Sequence, residues 1–205
     1  LFYFKKKYLL MAVFAGLAVS IKWTGLSFVA LPLLVEACQK VKERKFLNLL
    51  KFTSVFFVSF AVYFSIFATH FALLPKPGPG DAFMSAEFRE TGVVSKFIEL
   101  NKEMYSSNQR LTATHPYGSP WYEWPFASKP IFYWVKDTAK IYLQGNPAIW
   151  WSSTVAVVYG VWYLVSRKFK DRVILVLLGG YLLNLLPFIG VKRVMFLYHY
   201  LAALI

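Results

Sequence analysis

One cysteine, Cys38, stands in 205 residues. It allows no internal disulfide and leaves the redox compartment open. Acidic side chains are scarce, ten against 23 Lys and Arg, for a net charge of +13. Such an excess raises the question of nucleic acid, but the basic residues form no face. They come as short knots between apolar stretches, at Lys5–Lys7, Lys40–Lys51 and Arg167–Arg172, which excludes a nucleic-acid-binding surface. HExxH and CxxC motifs and clustered carboxylates are missing, so no protein-bound metal is indicated. There is no internal repeat, no low-complexity tract and no signal-peptide pattern at the start. The first residue is Leu1 and the last, Ile205, lies inside an apolar run, so both ends read as cuts in something longer.

Apolar residues are abundant instead: 58% hydrophobic and 20% aromatic, with a mean hydropathy of +0.48. Soluble globular chains do not look like this. The expected fold class is all-α, a polytopic transmembrane helix bundle with an external loop carrying amphipathic surface helices. Short loops rich in Lys and Arg stay on the cytoplasmic side, so the three basic knots set the path. Residues 48–72 suffice for one outward crossing at about 20 residues per span. Residues 73–146 follow as an extracytoplasmic segment. Residues 147–166 return inward, 173–189 go out again, and the chain turns near Gly190 into a last, truncated span. The expected organisation is transmembrane helices over 1–72, an external loop over 73–146 and transmembrane helices over 147–205.

The stretch 8–38 is read as a hairpin. As one helix it would set two basic knots on opposite sides and put Lys22 near the bilayer centre, at a cost of about 3 kcal/mol. Helices over about 8–21 and 24–38, with Lys22-Trp23-Thr24-Gly25 as an external turn, remove both conflicts. Within 73–146, Pro75–Gly80 breaks the chain. Ser85–Tyr105 reads as an amphipathic helix along the membrane surface, Ser106-Ser107-Asn108 as a polar break, and 130–143 as a second amphipathic stretch. Asn146 is read as the cap of the next helix, which Pro147 opens.

Residues 115–125 read HPYGSPWYEWP. Three prolines stiffen the backbone there. Four Tyr and Trp rings, apolar with polar tips, suit the headgroup level, and a plain aromatic belt is the simplest use of them. His115, Tyr117, Trp121, Tyr122 and Trp124 are the candidates for a platform that meets a sugar or an acceptor chain. Lys22 and the pair Lys192-Arg193 break the cytoplasmic charge rule, since both map to outer ends of spans. Snorkelling toward headgroups is one explanation. Two such cations, with His115 and His199 near them in topology, also suit a phosphate, where Arg supplies a fork and Lys a point charge. Asp81 is read as a helix cap, and Glu123 as orienting substrate or pairing with Lys129.

Five motifs stand in order along the chain: Ser20-Ile21-Lys22-Trp23-Thr24-Gly25, then Gly78-Pro79-Gly80-Asp81-Ala82-Phe83-Met84-Ser85, then His115–Pro125, then Tyr142–Pro147 with Trp150-Trp151, and last Arg193 with Phe196–Leu201. In this order they resemble the protein O-mannosyltransferase family, the enzymes that use dolichyl- or polyprenyl-phosphate mannose. The resemblance covers nearly the whole chain. It implies inverting transfer of mannose from the lipid phosphate to Ser or Thr hydroxyls of translocated polypeptides. The partners it implies are membrane lipid, the lipid-linked donor and an acceptor chain at the translocon, with no bound cofactor. It casts Lys22 and Arg193 as lipid-phosphate ligands. It casts His115, Tyr117, Trp121, Tyr122, Trp124, Tyr198 and His199 as the substrate-binding set, His199 being otherwise a satisfied helix-end histidine. The family's acidic pair, with its catalytic Asp, would lie upstream of Leu1, so no catalytic base is assigned here. Eukaryotic members carry a β-trefoil insertion after the Gly-Asp motif. The thirty or so residues between Ser85 and His115 leave no room for one, so the chain looks like a bacterial member acting at the outer face of the plasma membrane, the alternative being the endoplasmic reticulum. Other readings are a related lipid-phosphate-sugar transferase with a lipid or glycan acceptor, a catalytically silent member, and a transporter subunit. Transporters place polar residues near the midplane, and the spans here carry almost none.

Overall fold

A computed structural model describes residues 5–42 and 49–204. The side chains of 39, 41, 42 and 49–52 are left undescribed, and the middle of the second basic knot, including Arg44 and Lys45, lies outside the described residues. The chain divides into two compact units, Leu1–Ser107 and Asn108–Ile205.

In the first unit, α1 (Tyr8–Ile21) stops at Lys22, whose backbone is extended, and a single 3-10 turn over Trp23–Gly25 leads into α2 (Leu26–Lys42). The break is tight because Gly25 lies on the backbone of α1. A Cβ there would meet Ala18 O at 2.6 Å and Val19 N at 2.6 Å. α3 (Leu49–Leu73) packs on α1 through small residues. Gly16 lies against Ser59 O and Val62, and a Cβ at Gly16 would come within 2.6 Å of that carbonyl. The Ser59 hydroxyl donates to Ala12 O at 2.9 Å. Small side chains that admit a close backbone approach, plus one interhelical hydrogen bond, are the usual means of pairing helices in lipid. Among the described residues, the helices Thr53–Leu73, Pro147–Ser166 and Arg172–Gly190 are each long and apolar enough to cross a membrane.

After α3 the chain runs through Pro75–Gly80 into a short 3-10 turn, Pro79–Phe83. Asp81 caps this turn, as expected, but from within it. It sits third in the turn and reaches back, Oδ2 accepting from Gly78 N at 3.3 Å. Its main partner is Arg89, which donates to both carboxylate oxygens at 2.8 and 2.6 Å and to Leu74 O at 2.9 Å. That guanidinium holds the Asp81 carboxyl below its ordinary range. The surface helix α4 (Val93–Arg110) starts eight residues later than the sequence suggests and runs past the Ser106-Ser107-Asn108 break. The late start follows from residues 85–91, which form turns that tuck Phe88 into the interior. The late end follows because Ser106 and Ser107 bond back to the Glu103 carboxylate within the helix and do not compete with it. Phe97 of α4 meets Phe60, Tyr63, Phe64 and Phe67 of α3, with ring centroids 5.1 to 5.9 Å apart.

The second unit begins with the motif loop, which includes a 3-10 turn over Trp121–Phe126. The stretch expected as a second amphipathic helix is instead an antiparallel hairpin, β1 (Ile131–Lys136) and β2 (Ala139–Leu143). Ile-Phe-Tyr-Trp-Val is strand-favouring because β-branched and aromatic side chains fit a pleated surface. Asp137 takes the left-handed conformation, φ 51°, in the two-residue turn. Asn146 caps α5 (Pro147–Ser166), its Oδ1 accepting from Ala148 N at 3.0 Å. Asp171 caps α6 (Arg172–Leu185) at Val173 N and Ile174 N. Pro187 follows and the helix tightens into a 3-10 turn over Leu186–Gly190. The stretch expected to open a last span runs without regular structure from Val191 to Phe196, then as a 3-10 turn over Leu197–Ala202.

Candidate functional site

The core of the second unit is aromatic. Trp124 is fully buried, with Phe188 in a T-shaped contact at 4.9 Å and His199 stacked at 5.8 Å. Its indole Nε1 donates to Ser119 O at 3.1 Å and Ser119 Oγ at 3.0 Å. Ser119 N in turn donates to Met195 O at 2.8 Å. The motif loop is thereby joined to the segment carrying Lys192 and Arg193. Gly118 makes the approach possible, since a Cβ there would meet Val194 Cγ2 at 2.7 Å and His115 O at 3.1 Å. The turn itself closes through Gly118 N donating to His115 O at 2.9 Å.

Between the two segments lies an open cleft of about 410 Å³, lined by Leu111–His115, Gly118–Pro120 and Val191–Met195. Arg193 is half-buried at its wall, Lys192 and His115 are exposed, and Thr112 and Thr114 add hydroxyls. None of the described lining residues is acidic. A half-buried guanidinium with a second cation and hydroxyl donors, and no competing carboxylate, suits an anion with several oxygens. The nearest carboxylate of the motif loop is Glu123. Its Oε2 lies 3.9 Å from Lys129 Nζ, and that ammonium also donates to Gly118 O at 3.4 Å. Among the described residues no three His, Cys, Asp or Glu side chains gather.

The candidate residues separate by exposure. His115 and Arg193 line one cleft. Tyr122 is 59% exposed and Tyr198 40% exposed, and Trp121 and Tyr117 are half-buried. Tyr117 packs on Phe132 at 4.2 Å. Tyr198 stacks on His199 at 4.4 Å and on Phe196 at 5.8 Å. Trp124 and His199 depart from the expected platform. A ring without accessible surface offers no face to a sugar, so Trp124 anchors the loop. His199 is buried beneath Tyr198 with Nδ1 3.0 Å from Phe196 O, the satisfied-histidine arrangement. Lys22 belongs to the other unit, where it is exposed at the end of α1. Its neighbour Trp23 donates Nε1 to Tyr63 OH at 2.9 Å, and Tyr63 OH donates to Asn101 Oδ1. Sequence reasoning missed this Trp23–Tyr63–Asn101 chain and the Leu111–Thr114 wall. Pairings over 40 and 38 residues have no local signal, and the wall residues match no motif.

Comparison with known proteins bears on the same residues. Residues 93–205 match the family described as the C-terminal four TMM region of protein-O-mannosyltransferase. Dolichyl-phosphate-mannose–protein mannosyltransferase 1 of Saccharomyces cerevisiae is 33% identical over 148 residues, 64% of this chain and 17% of that protein. Protein O-mannosyl-transferase 1 of Mus musculus is 37% identical over 135 residues, 57% of this chain and 18% of that protein. Among solved structures, the S. cerevisiae protein O-mannosyltransferase Pmt1-Pmt2 complex bound to the sugar donor aligns with a TM-score of 0.50 at 29% identity. That alignment covers 55% of this chain and 18% of the other. The chain thus spans less than a fifth of the length of these relatives. With more than half of its residues inside the matched region, the chain belongs to the protein O-mannosyltransferase family.

Proposed function

We propose that this chain is the C-terminal membrane portion of an enzyme that transfers mannose from a dolichyl or polyprenyl phosphate to Ser or Thr hydroxyls of polypeptides. Family membership supports the reaction class. The observation that carries the reading of the site is the acid-free cleft walled by the half-buried Arg193. In the transfer the sugar C1 forms a bond to the acceptor oxygen and loses its bond to the phosphate oxygen. Charge then builds on the departing lipid phosphate, and Arg193, assisted by Lys192 and the Thr112 and Thr114 hydroxyls, stabilises it. Exposed Tyr122 and Tyr198 meet the acceptor or the sugar, because aromatic faces suit sugar C–H groups and phenol tips bond hydroxyls.

The hydroxyl proton goes to a carboxylate that we place in the family's acidic pair, upstream of Leu1. Asp81 is committed to Arg89, and Glu123 faces Lys129. The enzyme sits in the bacterial plasma membrane with its site on the outer face, and it meets its acceptor at the translocon. The short path from Ser85 to His115 supports a bacterial over an endoplasmic-reticulum member. The test is mannose transfer from polyprenyl-phosphate mannose to a Ser/Thr peptide by the full-length protein in lipid nanodiscs. Transfer that is abolished by Arg193→Ala, with the fold intact, supports the reading. Transfer only to lipid or glycan acceptors would reassign the acceptor class.

A further inference from the structure

Both faces of the hairpin β1–β2 carry exposed apolar side chains, and one of them continues out of the core. The hairpin register pairs Ile131 with Leu143, Trp134 with Ile141 and Lys136 with Ala139. These residues share a face because side chains alternate along a strand. Phe132, Tyr142, Val135 and Lys140 occupy the other face. There Phe132 packs on Tyr142 at 4.0 Å, and Lys140 Nζ lies 5.7 Å from the Phe132 ring centre.

The first face starts inside the core and runs out of it. Ile131 is buried with Trp124, Trp150, Tyr181 and Leu185, and Leu143 packs against the same cluster. Trp150 lies in the first turn of α5, and Tyr181 and Leu185 lie in the last turns of α6, so Ile131 belongs to a core cluster built at the ends of two helices apolar and long enough to cross a membrane. Beyond them the same face continues with Trp134, 47% exposed, and Ile141, 55% exposed. Three residues, Gln144–Asn146, separate β2 from the start of α5. At about 3.5 Å per residue the end of β2 therefore lies within roughly 14 Å of that helix end. The outer end of the hairpin carries Lys136 and Lys140 against one acid, Asp137.

We propose that the distal half of this hairpin lies on the membrane surface, with Trp134 and Ile141 in the boundary between acyl chains and headgroups and Lys136 against anionic lipid headgroups. Three features select a lipid surface as the occupant. The exposed face is continuous with Ile131 and Leu143, which join the core cluster at the ends of α5 and α6, where those helices enter the bilayer. Its centre is a Trp beside an aliphatic residue, the composition that favours the interfacial layer. The charge at the tip is complementary to anionic lipid, and basic residues near a membrane surface are drawn to it. The irregular register between Phe132 and Trp134 turns the distal half relative to the base, as bulges do. A two-stranded hairpin is marginal alone, so docking also accounts for how its outer half is held. The proposal rests on α5 and α6 crossing the membrane and not on the mannosyl-transfer reading.

The experiment uses the full-length protein in liposomes, with Cys38 and any other cysteine replaced by serine. One environment-sensitive NBD label is placed at Trp134→Cys, Ile141→Cys or, on the opposite face, Val135→Cys. The expected result is blue-shifted emission at 134 and 141, quenching by lipids spin-labelled near the headgroup, and iodide quenching several-fold weaker than at 135. A higher fraction of phosphatidylglycerol should strengthen lipid quenching, and Lys136→Gln should reverse that gain. Iodide quenching at 134 and 141 equal to that at 135 would overturn the proposal. So would shielding from both quenchers, which would mean that another segment of protein or an acceptor chain covers the face. If Trp134→Cys fails to fold, Ile141→Cys reads the same face. Mannose transfer by the same liposomes is scored separately, so loss of the enzymatic reading leaves this result standing.

Discussion

Removing the Arg193 guanidinium should slow mannose transfer far more than it destabilises the protein. Arg193 is half-buried in the wall of a cleft whose described lining holds no carboxylate. Its loss therefore frees no buried acid, and the fold should lose little, within about 0.5 kcal/mol for a side chain away from core and caps. The effect on a departing phosphate is of another size. At 4 Å and an effective dielectric of 20, a unit charge pair is worth about 4 kcal/mol, and loss of one preorganised donor to a developing oxyanion costs about 100- to 1000-fold in rate. Arg193→Ala is thus expected to lower kcat/KM by roughly 100-fold or more. Arg193→Lys keeps the charge but loses the planar fork, so it should recover part of the rate. Lys192→Ala should cost less, because an exposed ammonium is screened by water and salt. The assay is transfer of labelled mannose to a Ser/Thr peptide by full-length protein in nanodiscs, beside a thermal melt of each variant. An unchanged kcat/KM for Arg193→Ala at an unchanged melting temperature would refute the assignment. Equal losses for Ala and Lys would refute the idea that charge alone gives partial rescue.

Trp124→Ala should destabilise by about 3–5 kcal/mol, since it empties a fully buried ring site and strips Ser119 of its indole donor. Tyr122→Ala, at a 59% exposed position, should leave the melt nearly unchanged and weaken acceptor capture instead. A melt together with acceptor KM separates the two. Gly118→Ala forces a methyl to within 2.7 Å of Val194 Cγ2 and 3.1 Å of His115 O. It is expected to part the two cleft segments at a cost of about 1–3 kcal/mol and to lower transfer, read as a raised donor KM. Arg89→Gln should loosen the 75–92 loop and speed chymotryptic cleavage at the exposed Phe83. Because Arg89 depresses the Asp81 pKa below its ordinary 3.8, the wild-type clamp is fully present above that value and is lost only as pH falls through the lowered pKa. Protection of Phe83 should therefore hold unchanged from pH 5 to 8.

Much of this protein is legible one residue at a time. Polar caps and breakers act locally, so Asn146 marks the start of α5 and Lys22 the end of α1. Length and apolarity announce the long helices, because the bilayer imposes its thickness on whatever crosses it. The HPYGSPWYEWP run announced a rigid loop, since proline acts on its own backbone. Local pattern reached its limit at 130–143, where an amphipathic run satisfies either a helix or a hairpin, and at 85–92, where Phe88 is drawn inward toward Phe71 of α3.

Tertiary structure alone decided the division of labour among the aromatic residues. Trp121, Tyr122 and Trp124 stand within four positions of one another. One is buried as an anchor and one is open to solvent, because Phe188 and His199 converge on Trp124 from far along the chain while Ser119 accepts its indole N–H. The cleft arose in the same way. Arg193 shares a cleft with His115 only because Ser119 bonds Met195 across 76 residues and Gly118 leaves room for Val194. Helix ends and spans depend on a residue's own backbone and on the solvent around it, and a sequence states both. A cleft depends on which distant side chains share one volume, and that is settled only when the core packs.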